Sequence, residues 1–192
     1  AGATVETAKL PFTFAEIDKL YSGLLNPLML AGSPPAVIKN LQSLSEGLDP
    51  EDNSELSKVV RGSVLTHTDW VVVNAMRQDI RQKWREFFTN YDVILSPTTI
   101  VPAFKHNHDP VHDRKLTVNG TEQEYLRTTL WAGPAVMAGL PSTNVPIGFS
   151  KEKLPIGMQV MGPYLEDKTC ITAAKMIRDI RGGFSIPSGF ES

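Results

Sequence analysis

A disulfide within the 192 residues is excluded at once, because they carry a single cysteine, Cys170. So few thiols fit a reducing compartment, and a cytoplasmic location is the expectation. Long hydrophobic runs are also missing. Pro, Gly or charge breaks every apolar stretch before it reaches the ~18–20 residues of a membrane span. An excess of one charge is missing too: 19 basic and 21 acidic residues leave a formal net charge of −2. That balance gives no electrostatic reason to expect a nucleic-acid or membrane-surface partner. The amino end, Ala1-Gly2-Ala3-Thr4-Val5-Glu6, has no initiator Met, no basic region and no signal-like apolar core. It reads like the middle of a protein. No internal repeat or low-complexity tract is found.

Several catalytic signatures are absent as well. No serine lies in G-x-S-x-G, so the strand-turn-helix elbow that exposes a nucleophile is not encoded. Ser33 precedes Pro34, and Ser63 has no partner at a telling spacing. Neither phosphate-cradling glycine pattern occurs. His106, His108 and His112 place three imidazoles in a short stretch, which could ligate zinc. Yet the stretch contains Pro110 and has no HExxH and no cysteine partner, so no metal is assigned. Asn119-Gly120-Thr121 is formally a glycosylation acceptor and more simply a tight turn. No cofactor is implied.

What is there is a chain with 41% hydrophobic residues, enough for one domain with a sizeable core at ~100–200 residues per domain. Fourteen Gly and fourteen Pro point to many turns rather than a helical bundle. Residues 4–10 have the character of a strand ended by Pro11. Thr13 with Glu16 three residues later is a capping box, and Ile17, Leu20, Tyr21, Leu24, Leu25 and Leu28 follow with helical spacing until Pro27 interrupts. Pro34-Pro35 breaks the chain again, and residues 48–55 are polar and loop-like.

The clearest helix is expected over about residues 68–89, where Val73, Met76, Ile80, Trp84 and Phe87 form one apolar stripe. Arg77, Arg81 and Arg85 make a basic row beside it, read as a solvated face, with a carboxylate or phosphate site as the alternative. Val93-Ile94-Leu95 is wholly apolar, like a strand buried in a parallel sheet. Ligands tend to gather at the carboxyl edge of such sheets, which places Thr98 and Thr99 at a candidate site. An irregular loop should follow over 101–114, then a turn at Asn119-Gly120. A helix is expected over 122–140, interrupted at Gly133-Pro134. Residues 142–149 and 154–162 read as an antiparallel hairpin. Asp167 should cap a last helix with Ile171, Ala174, Ile177 and Ile180 on one face, ended by Gly182-Gly183. The fold class expected is α/β, with a partial mixed sheet flanked by helices.

Four blocks then carry a resemblance. They are Ala1-Gly2-Ala3-Thr4-Val5; the run from Trp84-Arg85-Glu86-Phe87-Phe88 through Tyr91-Asp92-Val93-Ile94-Leu95 to Ser96-Pro97-Thr98; Trp131-Ala132-Gly133 with Ala138-Gly139-Leu140-Pro141 and Val145-Pro146-Ile147-Gly148; and Leu154-Pro155-Ile156-Gly157-Met158-Gln159-Val160-Met161-Gly162-Pro163. In this order and spacing the chain resembles the amidase-signature family, in its carboxyl-terminal part. The resemblance implies hydrolysis of a carboxylic amide to an acid and ammonia or an amine. It implies a nucleophilic serine, a second serine on a cis peptide and a lysine base, all from a glycine- and serine-rich segment upstream of the matched region. No such run occurs in residues 1–192.

The expectation is therefore one incomplete domain, without catalytic residues of its own and inactive alone. It would pair with the missing amino-terminal part or with itself through an exposed apolar patch or strand edge. A truncated, non-enzymatic paralogue binding a small ligand or a protein is the alternative. The resemblance implies that Thr98, Thr99, Thr129, Trp131 and Ala132 form a wall facing a small-molecule amide. The glutamine-dependent amidotransferase branch would place an acidic residue near Thr129. Thr129 itself, with Arg127 close by, favours a stand-alone amidase.

Overall fold

Capping decides where the first helix begins. In the computed structural model, which describes residues 2–187 and 189–190, the Thr13 hydroxyl accepts from the Glu16 amide at 3.2 Å and the Glu16 carboxylate accepts from the Thr13 amide at 2.6 Å. The two groups satisfy each other's orphan donors, as the capping box predicts. Helix α1 (Phe14–Met29) follows, with Pro27 in its last turn. Helix α2 (Pro35–Glu46) starts on Pro35, where the missing N–H costs nothing. Helix α3 (Glu55–Ser63) is capped by Ser54 and crosses α1 closely. A Cβ at Gly62 would lie 2.7 Å from the Ser22 carbonyl oxygen. Neither α2 nor α3 is among the helices expected above, although Val37, Ile38, Leu41 and Leu44 and then Leu56, Val59 and Val60 recur at helical spacing; α2 buries no residue.

Helix α4 (His67–Phe87) matches the expected long helix. Ile80, Trp84 and Phe87 are buried in the main core with Phe12, Ile17, Leu20, Leu24, Met137 and Ala138. Val73 packs against them, but Met76, read as part of the stripe, is 43% exposed. The basic row also departs from expectation. Arg77 Nε donates to the Met137 carbonyl at 3.1 Å and Arg81 Nε to that of Ala138 at 3.3 Å. Only Arg85 keeps to the exposed face. With Trp84 Nε1 donating to the Pro134 carbonyl at 3.1 Å, α4 thereby holds helix α5 (Gly133–Ala138) along its length.

Three strands form the main sheet: β1 (Ile94–Pro97), β4 (Ser142–Phe149) and β5 (Pro155–Met161), in the order β1-β5-β4 with both pairings antiparallel. The β4–β5 hairpin is as expected. β1 is not a parallel, fully buried strand: it lies at an edge, and Leu95 is 40% exposed. An apolar triplet does not specify the direction of its neighbour. The Asn119-Gly120 turn joins β2 (Lys115–Val118) to β3 (Thr121–Glu124), with φ of 52° and 79° at the two turn residues. Such a turn suits the strand twist and requires positive φ at both positions.

The helix expected over 122–140 is corrected by this hairpin. Residues to Glu124 are strand, Tyr125–Thr129 form a 3-10 turn, and Gly133-Pro134 opens α5 rather than interrupting a helix. The strand expected over 4–10 is also absent. Among the described residues no sheet lies beside it; Ala8 and Leu10 instead rest on the main core. Ala1, part of the first resemblance block, lies outside the described residues. Helix α6 (Asp167–Arg181) has Glu166, not Asp167, at its N-cap, and ends at Gly182 with φ 91°. Its Ala174 is buried against Val145 and Val160, while Ile171 and Ile180 face solvent. The α/β class holds, as helices with small open sheets. No helix among the described residues is long and apolar enough to cross a membrane.

Candidate functional site

Strand alternation sorts the main sheet into two faces. Val145, Met158 and Val160 point to the face that α6 covers. Their neighbours Asn144 and Gln159 belong to the other face. Register places Ser96 opposite Gln159 and Gln159 opposite Asn144, so these three side chains form one polar row across β1, β5 and β4. Ser96 and Gln159 are buried and Asn144 is exposed.

Thr98 and Thr99 follow β1 directly. Thr98 Oγ1 donates to Asn144 Oδ1 at 3.1 Å, which extends the polar row by one side chain. Thr99 Oγ1 donates to the Thr128 carbonyl at 3.1 Å and fastens this end of β1 to the 3-10 turn. Trp131 joins the row through its carbonyl, which accepts from Gln159 Nε2 at 3.1 Å, while its ring meets Phe14 edge-on at 4.9 Å. Ala132 is half-buried at the start of α5. Thr129 does not join the group through its hydroxyl, which donates to the Leu126 carbonyl within its own turn at 3.0 Å. Thr98, Thr99 and Trp131 are therefore each bonded at one seam between the sheet and the segment leading into α5, with Ala132 adjacent in the chain.

Gln159 and Asn144 were missed. The available signal was a carboxamide at position 159 amid Met158, Val160 and Met161, a polar group in a strand that is otherwise apolar there. A buried carboxamide is costly unless hydrogen-bonded, so its presence marks a specific arrangement. Gln159 Nε2 also donates to Ser96 Oγ at 3.2 Å.

Two concavities lie elsewhere. One, about 400 Å³, is lined by Ser54, Glu55, Lys58, Lys115, Glu124 and Arg127. Its charges are largely spoken for: Lys58 pairs with Glu55 at 2.7 Å, and the Glu124 carboxylate accepts from the Glu55 amide at 3.0 Å. Asp18 stands beside it, and burial pushes its carboxyl above the usual range, Glu55 adding to this while Lys58 and Arg127 oppose it. The other, about 410 Å³, lies between Phe104–His108 and Tyr125. There the His106 and His108 rings are 6.4 Å apart. His112 lies 3.7 Å from Asp113 instead. Among the described residues no group of three His, Cys, Asp or Glu side chains is placed to hold a metal ion.

Of the serines weighed above, Ser63 donates its hydroxyl to the Val59 carbonyl at 2.7 Å within its own helix. Ser57 donates to Asp52, which also accepts from the Ser54 amide at 2.8 Å. These bonds, that from Ser57 first, hold the Asp52 carboxyl below its usual range. Cys170 donates to the Pro141 carbonyl at 3.5 Å, and burial raises its thiol. None of these groups has the base that would make it a nucleophile.

A profile of the Amidase family matches residues 54–171, which span the whole seam. The chain is 33% identical over 101 residues to the A subunit of the glutamyl-tRNA(Gln) amidotransferase of Halothermothrix orenii, covering 52% of this chain and 19% of that protein. It is 30% identical over 147 residues to the fatty acid amide hydrolase of Medicago truncatula, covering 74% of this chain and 24% of that protein. The curated relatives are thus matched over about a fifth to a quarter of their length. A crystal structure of an amidase superposes with a TM-score of 0.63 at 19% identity, over 91% of this chain and 37% of that one, which shows a shared fold. Both a transamidating and a hydrolysing relative are present, so similarity does not choose between the two branches.

Proposed function

Because the chain belongs to the amidase family, we propose that it works as part of a hydrolase that converts a carboxylic amide and water to an acid and ammonia or an amine. The observation that carries this reading is the seam: Thr98 is bonded to Asn144 on β4, Thr99 to the 3-10 turn at Thr128, and the Trp131 carbonyl to Gln159 on β5, with Ala132 next in the chain. We assign them, with Thr129, to a wall that positions the amide. The absence of an acidic residue beside Thr129 supports hydrolysis of a small-molecule amide over transamidation.

The reaction needs a serine stripped of its proton and fixed donors for the tetrahedral oxyanion. Ser57 and Ser96 are engaged as described, and no run in the 192 residues resembles the serine–serine–lysine segment. In our reading the chain alone is therefore inactive and receives that segment from outside residues 1–192. Val136, Phe149, Ile171 and Ile180 are exposed. They support pairing with such a segment or with a second copy, because apolar surface of this kind seeks cover. The single, buried thiol supports a reducing compartment such as the cytoplasm.

Two assays test the reading. Ammonia release from aliphatic, aryl and fatty amides is measured for the chain alone; turnover that survives repurification would overturn its inactivity. The chain is then joined to the amino-terminal part of a hydrolysing amidase. Amide cleavage by this fusion is expected, and a folded, monodisperse fusion that cleaves no amide would favour the non-enzymatic paralogue instead.

A further inference from the structure

Gln159 is 7% exposed, yet only half of its carboxamide is used. Both of its side-chain bonds leave from Nε2, to Ser96 Oγ and to the Trp131 carbonyl. The assignment of the two ends follows from chemistry, since a carbonyl oxygen only accepts and the group facing Trp131 must be the NH2. Oε1 has no hydrogen-bond partner among the described residues. It is not sealed in either, because the fully buried side-chain polar atom without a partner is Asn26 Nδ2. An open acceptor is thus anchored on a nearly buried side chain in the central strand.

Its cross-strand neighbour offers the opposite group. Asn144 Oδ1 accepts from Thr98, which leaves the Asn144 NH2 as a donor with no partner among the described residues. Directly paired side chains on one face stand about 4.5–5.5 Å apart at Cβ, within reach of a single small ligand. Glycine at position 157 keeps the next place on this face low: a Cβ there would already touch Thr98 Oγ1 at 3.4 Å. Ser96, Thr98, Asn144 and Gln159 include no carboxylate, so the row is not built for a cation.

We infer that Gln159 Oε1 and Asn144 Nδ2 form a subsite for a neutral carboxamide, the glutamine accepting the ligand's N–H and the asparagine donating to its carbonyl, with Trp131 and Thr98 at the sides. The inference rests on the amide reading above and names the residues that would discriminate an amide from an ester or an acid. A site that bonds an N–H rejects the analogue lacking it, because its own polar group is then left unpaired.

The test is a titration of the 15N-labelled chain with benzamide, followed at the side-chain amide resonances of Gln159 and Asn144. Saturable shifts at both are expected, while methyl benzoate, with the same ring and carbonyl but no N–H, leaves Gln159 unmoved. Gln159→Met should weaken benzamide by roughly tenfold, in line with loss of one hydrogen bond and an unpaired N–H. Val160→Ala, which loosens the same strand on its opposite face under α6, should stay within about twofold and guards against a purely structural explanation. Equal shifts with ester and amide, or no saturable shift at either residue, would overturn the subsite. Cleavage by the fusion without benzamide shifts at Gln159 would sink this inference and leave the proposed function standing. Shifts at Gln159 with an inert fusion would do the reverse.

Discussion

The helical side of the molecule and its sheet side are built to different standards of completeness. Around α1, α4 and α5, nine residues are buried in one cluster, and Trp84 contacts Phe12, Phe87 and Phe88 with ring centroids 5.2 Å apart in each case. Around β4, β5 and α6, the buried cluster is Val145, Val160 and Ala174. The first is a core closed on itself, whose α5 backbone is tied down by Arg77, Arg81 and Trp84. The second covers one face of a three-stranded sheet, with apolar Ile171 and Ile180 outward on α6; the other face mixes the polar row with Ile94, which packs on the helical core, and the fully buried Met161. Stability should therefore concentrate in the helical side, while the candidate seam lies where the two sides meet.

The strongest way to break this comparison is Trp84→Ala. Trp84 is 1% exposed, and its indole N–H satisfies a buried carbonyl. Losses of roughly 3–5 kcal/mol are usual for such truncations. Urea unfolding of the chain should show a loss in that range. A loss below about 1 kcal/mol, the size of an ordinary surface effect, would mean that the helical core does not dominate. Gly133→Ala is next. The added Cβ would sit 2.5 Å from Ile17 Cγ2, and Ile17 is fully buried, so neither group can step aside. Overpacking of this kind costs about 1–3 kcal/mol and should also displace Trp131, two residues away, visible as a change in its near-ultraviolet circular dichroism.

Val160→Ala probes the other side. Two methyl groups leave a fully buried site, for an expected loss of roughly 1–2 kcal/mol by the same urea measurement. A loss equal to that of Trp84→Ala would erase the distinction between the two clusters.

Sequence made the elements with their own local chemistry legible. The Thr13 capping box, the Ile80–Trp84–Phe87 stripe, the Asn119-Gly120 turn and the β4–β5 hairpin each depend on neighbours within a few residues. It did not disclose features that depend on distant partners. The composition of residues 4–10 suits a strand, but strand formation needs a second chain segment beside it. The arginine row has the look of any charged helix face, and only the position of α5 turns Arg77 and Arg81 into anchors. Thr98 and Thr99 were proposed from the end of an apolar strand, and Trp131 through resemblance. Gln159 was not, because its role follows from register: it becomes the centre of a polar row only when Ser96 and Asn144 are brought to either side.

The smallest effect concerns charge on the rim of the helical side, where two aspartates respond to pH in opposite directions. Asp18 on α1 has its carboxyl raised by burial and by Glu55, so the folded state binds its proton more tightly than the unfolded chain. Ionised, it costs stability; the cost is present above the folded pKa and disappears as pH falls below the ordinary carboxylate range. Asp18→Asn should therefore stabilise the chain at neutral pH and become neutral in acid. Asp52, ahead of α3, is lowered by bonds from Ser57 and Ser54, so its contribution is present above the ordinary carboxylate range and is lost as pH falls through its depressed value. Asp52→Asn should accordingly destabilise at neutral pH, with the difference shrinking in acid. Thermal unfolding of both variants between neutral and acidic pH reads the two trends directly. If they run in the same direction, burial and the Glu55 charge are not what sets the Asp18 carboxyl, and the helical side rests on its apolar core alone.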